Sequence, residues 1–177
     1  MSRSVVNSVV SRVLRGVDRV APPAVAEAHC DIPCGIYDPH LMQIAALTVL
    51  RMNQLIDGLE LPADGANKAD QARYHNSLAR YVLVKEEHAE LVKREARIIW
   101  GDYFKPEHVE KYPDLHAVVW NIMKLAGKNR QEANAAAAGE LLAATHRFAE
   151  IFWDTKGAKS SKQPSRQAVG GELVLPS

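Results

Sequence analysis

The chain has 177 residues, 47% of them hydrophobic and 24% charged, and a formal net charge of +1. That is enough apolar material for one buried core, and the near-neutral balance gives no reason to expect a nucleic acid or other polyanion as partner. No apolar run approaches the roughly 20 residues that cross a bilayer, so no membrane partner is expected, and two cysteines are too few for a disulfide framework.

In chain order, MSRSVVNSVVSRVLRGVDRV sets Val5, Val6, Val9, Val10, Val13, Val17 and Val20 at helical spacing among Arg3, Arg12, Arg15 and Arg19. The pattern predicts an amphipathic helix ended by Pro22 and Pro23. Ala26-Glu27-Ala28 has the outline of a signal-peptidase site. Yet Arg12, Arg15, Asp18 and Arg19 leave no uninterrupted apolar stretch of about 7 to 15 residues, which a secretory signal requires. An Arg- and Ser-containing segment nearly free of acid also suits an organelle transit peptide; the expectation carried forward is a cytoplasmic protein.

Beyond a Cys-containing loop, LMQIAALTVLRMNQLIDGL (41–59) predicts a first helix stopped by Gly58 and Pro62. Asn67 or Asp70 can cap a second helix running to about Trp100, with Leu78, Tyr81, Val82, Leu91, Val92, Ile98 and Ile99 buried and Gly101 as its end. Turn signals and aromatics fill GDYFKPEHVEKYPDLH. Pro113-Asp114 then starts a third helix to about Gly127, with Leu115, Val118, Val119, Ile122, Met123 and Leu125 inward. A fourth helix, about Arg130 to Asp154, turns Leu141, Leu142, Thr145, Phe148, Ile151 and Phe152 inward and is closed by Gly157. Residues 158–177 gain Ser, Gly and Pro and read as a mobile tail. The fold expected is all-α, an antiparallel four-helix bundle with an amino-terminal hook.

The chemistry is concentrated in HCDIPCGIYDP, residues 29–39, which holds both cysteines, Cys30 and Cys34, beside His29. Thiolates with nitrogen donors select late transition metals, and a tetragonal set of nitrogen and sulfur suits divalent nickel or copper. The side chains supply three donors. A chain cut before His29 would add its free amine and the backbone nitrogen of Cys30. Pro33 fixes one dihedral and Gly35 permits a left-handed one, so a hook is easily built. On spacing alone, a disulfide or two inert thiols stay open as readings, and C-x-x-x-C is not a thioredoxin or zinc-ribbon spacing.

This segment resembles the nickel superoxide dismutases, whose mature proteins begin with a His-Cys-Asp-x-Pro-Cys-Gly-x-Tyr-Asp-Pro nickel hook, matched here without departure. DYFKPEHVEKYPDLH (102–116) and IFWDTK (151–156) resemble the same family in order and spacing. The resemblance implies a propeptide at 1–28 removed by a processing protease, a dismutase bundle at 29–157, superoxide as substrate and a homohexamer. It implies nickel bound by the amine and, in the oxidised state, the imidazole of His29, by the amide nitrogen and thiolate of Cys30, and by the thiolate of Cys34. Asp31 and Tyr37 match positions that shape the substrate pocket, while Tyr103, Phe104 and Lys105 match walling aromatics and a lysine of positive potential.

Apart from the resemblance, Asp31 reads as a loop-stabilising residue, and Tyr103, Phe104 and Lys105 as a bundle-end cluster with a solvated lysine. Trp100, Trp120 and Trp153 read as core or interface, and His75, His88, His108, His116 and His146 as surface or core histidines. One departure stands out. The family's Glu and Arg that orient the axial imidazole fall at Ala45 and His88, which makes His88 a candidate partner for His29. Two other function classes share the sequence: a nickel or copper carrier using the same hook without redox turnover, and a helical interaction module with an incidental Cys pair.

Overall fold

The computed structural model describes Asn7, residues 10–14 and 16–17, and residues 35–177. His29, Cys30, Asp31 and Cys34 lie outside the described residues. Residues 35–177 form one unit, separate from residues 1–34.

Four long helices carry that unit: α1 (His40–Asp57), α2 (Lys68–Ile98), α4 (Leu115–Gln131) and α5 (Ala135–Thr155). Each packs on two others in cyclic order, α1 on α2 and α5, and α4 on α2 and α5. Cross-helix bonds give the directions. The end of α2 meets the start of α4 where Trp100 donates to His116, and the end of α1 meets the start of α5 where Asn134 N–H donates to Asn53. The helices therefore run alternately up and down, as short connections demand. Asn67 caps α2 and Asn134 caps α5, each accepting from the amide three residues on.

The seam of α2 follows Lys85, Ala89, Val92, Ala96 and Ile99, a three-four repeat of small and branched residues that lets helices approach closely. All six residues expected inside α5 are buried. Two boundaries differ from the sequence reading. Gly127 does not end α4, whose break comes at Glu132 before the capping Asn134. Gly101 does not end α2 but lies within a π-helical turn, Ile99–Tyr103, in which Phe104 N–H reaches Ile99 O. The segment expected as turns also holds a short helix, α3 (Pro106–Lys111), opened by its proline.

The expected mobile tail is instead a hairpin. β1 (Ser160–Pro164) pairs antiparallel with β2 (Glu172–Pro176), Ser160 facing Pro176 and Pro164 facing Glu172. Leu173 and Val174 are buried, Gln43 on α1 exchanges two hydrogen bonds with the Val174 backbone, and His146 on α5 donates from Nε2 to Glu172 O. Gly171 sits at φ +74 with Leu47 3.0 Å from where a Cβ would be, so a side chain there would be strained and crowded. Composition is misleading here: the Gly-Gly before the apolar run ELVLP is a turn-and-strand signal, and the bundle supplies the apolar face it needs.

At the end of the bundle where α4 stops, Lys85 is 3% exposed, its ammonium 2.6 Å from both Asn129 O and Glu132 O. It satisfies carbonyls left free at a helix C-terminus. Burial holds its pKa below the ordinary lysine value, against the opposing pull of Glu86 and Glu132. Lys85→Met keeps the stem but strands both carbonyls, and should cost about 3 kcal/mol in denaturant unfolding. A variant within about 0.5 kcal/mol of the parent would show that water serves those carbonyls equally well.

Candidate metal centre

The root of the hook is anchored at the opposite end of the bundle. Gly35 has φ +76, the left-handed turn that its lack of a side chain allows, and the chain then enters α1 through Pro39. The Asp38 carboxylate accepts from His40 N–H at 2.7 Å, holding that entry. Between them Tyr37, half-buried, rests its ring against Tyr103, centroids 5.6 Å apart.

Tyr103, on the π-helical turn, is the hub of an aromatic cluster. Its ring meets Phe152 at 4.8 Å, Phe104 at 5.2 Å and His108 at 5.5 Å. Thr155 Oγ1 donates its only proton to Phe152 O at 2.7 Å, so the 3.0 Å bond between Tyr103 and Thr155 must be donated by the tyrosine. The Tyr103 hydroxyl is thus spent inward on α5, leaving its ring as the surface that Tyr37 meets. Nearby, Lys111 and Tyr112 both hydrogen-bond the Asp154 carboxylate, tying α3 to the end of α5. Those bonds, Lys111 first, hold the Asp154 carboxyl below its ordinary value.

A positive charge stands directly on this cluster. Lys105, the lysine singled out by the resemblance, lines an open cleft with Trp100, Phe104 and His116. It is Lys156 whose ammonium stands 5.0 Å from the centre of the Tyr103 ring, close enough for a cation–π contact and for a positive potential next to Tyr37. Lys156 belongs to the IFWDTK block, and its contact with Tyr103 appears only in the fold. Ala45 is buried in the core. His88 is half-buried with Nδ1 donating to Val84 O at 2.9 Å, which leaves Nε2 as its other valence.

Among the described residues no three His, Cys, Asp or Glu side chains are grouped to hold a metal. The donor set that fits nickel is the one in the sequence, His29, Cys30 and Cys34: borderline and soft ligands suited to a late transition metal. What the fold contributes is that all three sequence blocks, 29–39, 102–116 and 151–156, meet at one place, through Tyr37, Tyr103 and the Phe152–Lys156 turn.

A family model for nickel-containing superoxide dismutase matches residues 24–156. The chain belongs to the nickel-containing superoxide dismutase family. Within it, the chain is 34% identical over 138 residues to the superoxide dismutase [Ni] of Streptomyces coelicolor, covering 78% of this chain and 95% of that protein. The same figures hold for that of Streptomyces seoulensis. A native nickel superoxide dismutase structure superposes with TM-score 0.62 at 34% identity, over 73% of this chain and all of that one. Its apo form gives 0.60 at 31%, over 70% of this chain and all of that one. As a nickel superoxide dismutase the chain is an oxidoreductase with nickel as its cofactor. The hairpin, from Ser160 onward, lies beyond the residues the family model matches.

Proposed function

We propose that this enzyme converts superoxide to dioxygen and hydrogen peroxide at a nickel centre held by His29, Cys30 and Cys34, after a protease has removed residues 1–28. The observation that carries the reading is the unbroken HCDIPCGIYDP segment, with its root at Tyr37 packed on Tyr103 of the second block, which in turn packs on Phe152 of the third. Two superoxide anions and two protons give one dioxygen and one hydrogen peroxide. Bound by two thiolates, an amide nitrogen and an amine, nickel would supply the one-electron couple between its divalent and trivalent states.

The protein's own groups do the rest. Tyr37, its ring against Tyr103, offers a phenol that can hold superoxide or water by hydrogen bond, and Asp31, which matches a pocket-shaping position of the family, would help shape that pocket. Lys156 draws the anionic substrate toward Tyr37. His88 falls where the family orients the axial imidazole, and with Nδ1 on Val84 O its Nε2 would be the atom to take that role. The assembly is a homohexamer of four-helix bundles in the cytoplasm. Trp100 and Trp120, 39% and 65% exposed, offer aromatic surface suited to a subunit interface.

The test is a protein beginning at His29, loaded with nickel and exposed to superoxide. It should hold about one nickel per chain and give the paramagnetic signal of trivalent nickel. Protein that binds nickel, shows no such signal and leaves superoxide untouched would instead be a metal carrier.

A further inference from the structure

The segment ahead of the hook has a face that the proposed enzyme chemistry does not use. Asn7, residues 10–14 and residues 16–17 are helical. Val10, Val13, Leu14 and Val17 stand on one face of that helix, each between 49% and 59% exposed. In the sequence the same face is extended by Val6, Val9 and Val20. Arg12, Arg15 and Arg19 follow at i, i+3 and i+7 on the opposite side, beside Ser4, Ser8 and Ser11, and residues 1–17 contain no acid.

We propose that residues 1–20 lie in the plane of an anionic lipid surface, valines toward the acyl chains and arginines among the headgroups. Charge decides the occupant. Arg3, Arg12, Arg15 and Arg19 outnumber the one carboxylate of the segment, Asp18, and that excess of positive charge is attracted to anionic lipid; a basic helix with one broad apolar face is the form that binds there. Width argues against a second copy of the helix, since a two-helix seam covers only every third and fourth residue and would leave Val9 and Leu14 at its margins. The helix is too short in apolar residues to span a bilayer and has no need to, because it lies along the interface. The consequence rests on the processing reading: cutting before His29 would release the enzyme from the surface. The binding itself does not.

Flotation of the full-length chain with vesicles tests this. One set is pure phosphatidylcholine and the other contains about a third phosphatidylglycerol. The full-length protein should float with the anionic vesicles only, and less so at about 0.5 M salt. A chain beginning at His29 should not float. Replacing Arg12, Arg15 and Arg19 together by Gln should weaken partitioning roughly a hundredfold. Val13→Asp should weaken it at least about tenfold by putting a charge on the apolar face. Full-length protein that stays in solution, floats equally with neutral vesicles, or floats undiminished as Val13→Asp overturns the proposal. So does a leader that merely raises the oligomer mass without flotation. None of these outcomes depends on nickel or turnover, so an inactive enzyme would count against the nickel reading alone.

Discussion

A chain beginning at His29 should dismutate superoxide with nickel as the only addition, and the same chain retaining Ala28 should not. The reason lies in one bond. While Ala28 is attached, the His29 nitrogen belongs to a peptide group, its lone pair delocalised into the carbonyl, and it is a far poorer donor than an amine. Loss of that donor from a compact chelate leaves two thiolates without the nitrogen set that stabilises the higher oxidation state. A single retained residue is the informative variant, because it changes the donor and adds almost no bulk. Activity should fall to the background of free nickel, by at least about a hundredfold. The measurement is steady-state superoxide loss, with intact mass confirming each terminus before and after assay. An Ala28-extended chain as active as the His29 chain would show that the amine is not a ligand, and would separate nickel binding from proteolysis altogether.

Much of this arrangement is legible in the amino-acid sequence. Four segments carry apolar residues at helical spacing, which specifies a bundle even though Gly101 and Gly127 do not stop their helices, and all six residues assigned inward on α5 are buried. The seam of α2 is less plain. Its buried positions include Ala89, Ala96 and Lys85, which hydropathy scores low, while Leu78, Tyr81 and Leu91 are only half-buried. Close helix packing favours small residues, and a lysine is acceptable inside only because the carbonyls ending α4 receive it. Neither condition can be seen along one helix alone. The hairpin escapes a reading by composition because its strands bury little by themselves; Leu173 and Val174 become core only against α1 and α5. At the site, Tyr37 and its partner block follow from motif, whereas the contact of Lys156 with Tyr103 depends on where the α5 terminus points. The hook residues His29, Cys30, Asp31 and Cys34 rest on sequence, since the described residues begin again at Gly35.

Cys30→Ser and Cys34→Ser, each in the chain beginning at His29, should abolish turnover while leaving the fold intact. A serine hydroxyl is a hard, protonated oxygen near neutral pH, so it neither donates charge as a thiolate does nor stabilises trivalent nickel. The rate should fall below about 1% of the parent, and the trivalent-nickel signal should vanish in both variants. Neither thiol belongs to the core of the described residues. The buried core runs from Met42 to Val174 and is closed by contacts among the helices and the hairpin. Helical circular dichroism and the denaturation midpoint should therefore match the parent, within about 0.5 kcal/mol. That pairing separates loss of ligand from loss of structure. His29→Gln supplies the contrast: the amine survives and the imidazole alone is lost, so nickel should still bind while the rate falls severely. Full activity in either serine variant would remove that cysteine from the metal site, and with it the reading of HCDIPCG as a nickel hook.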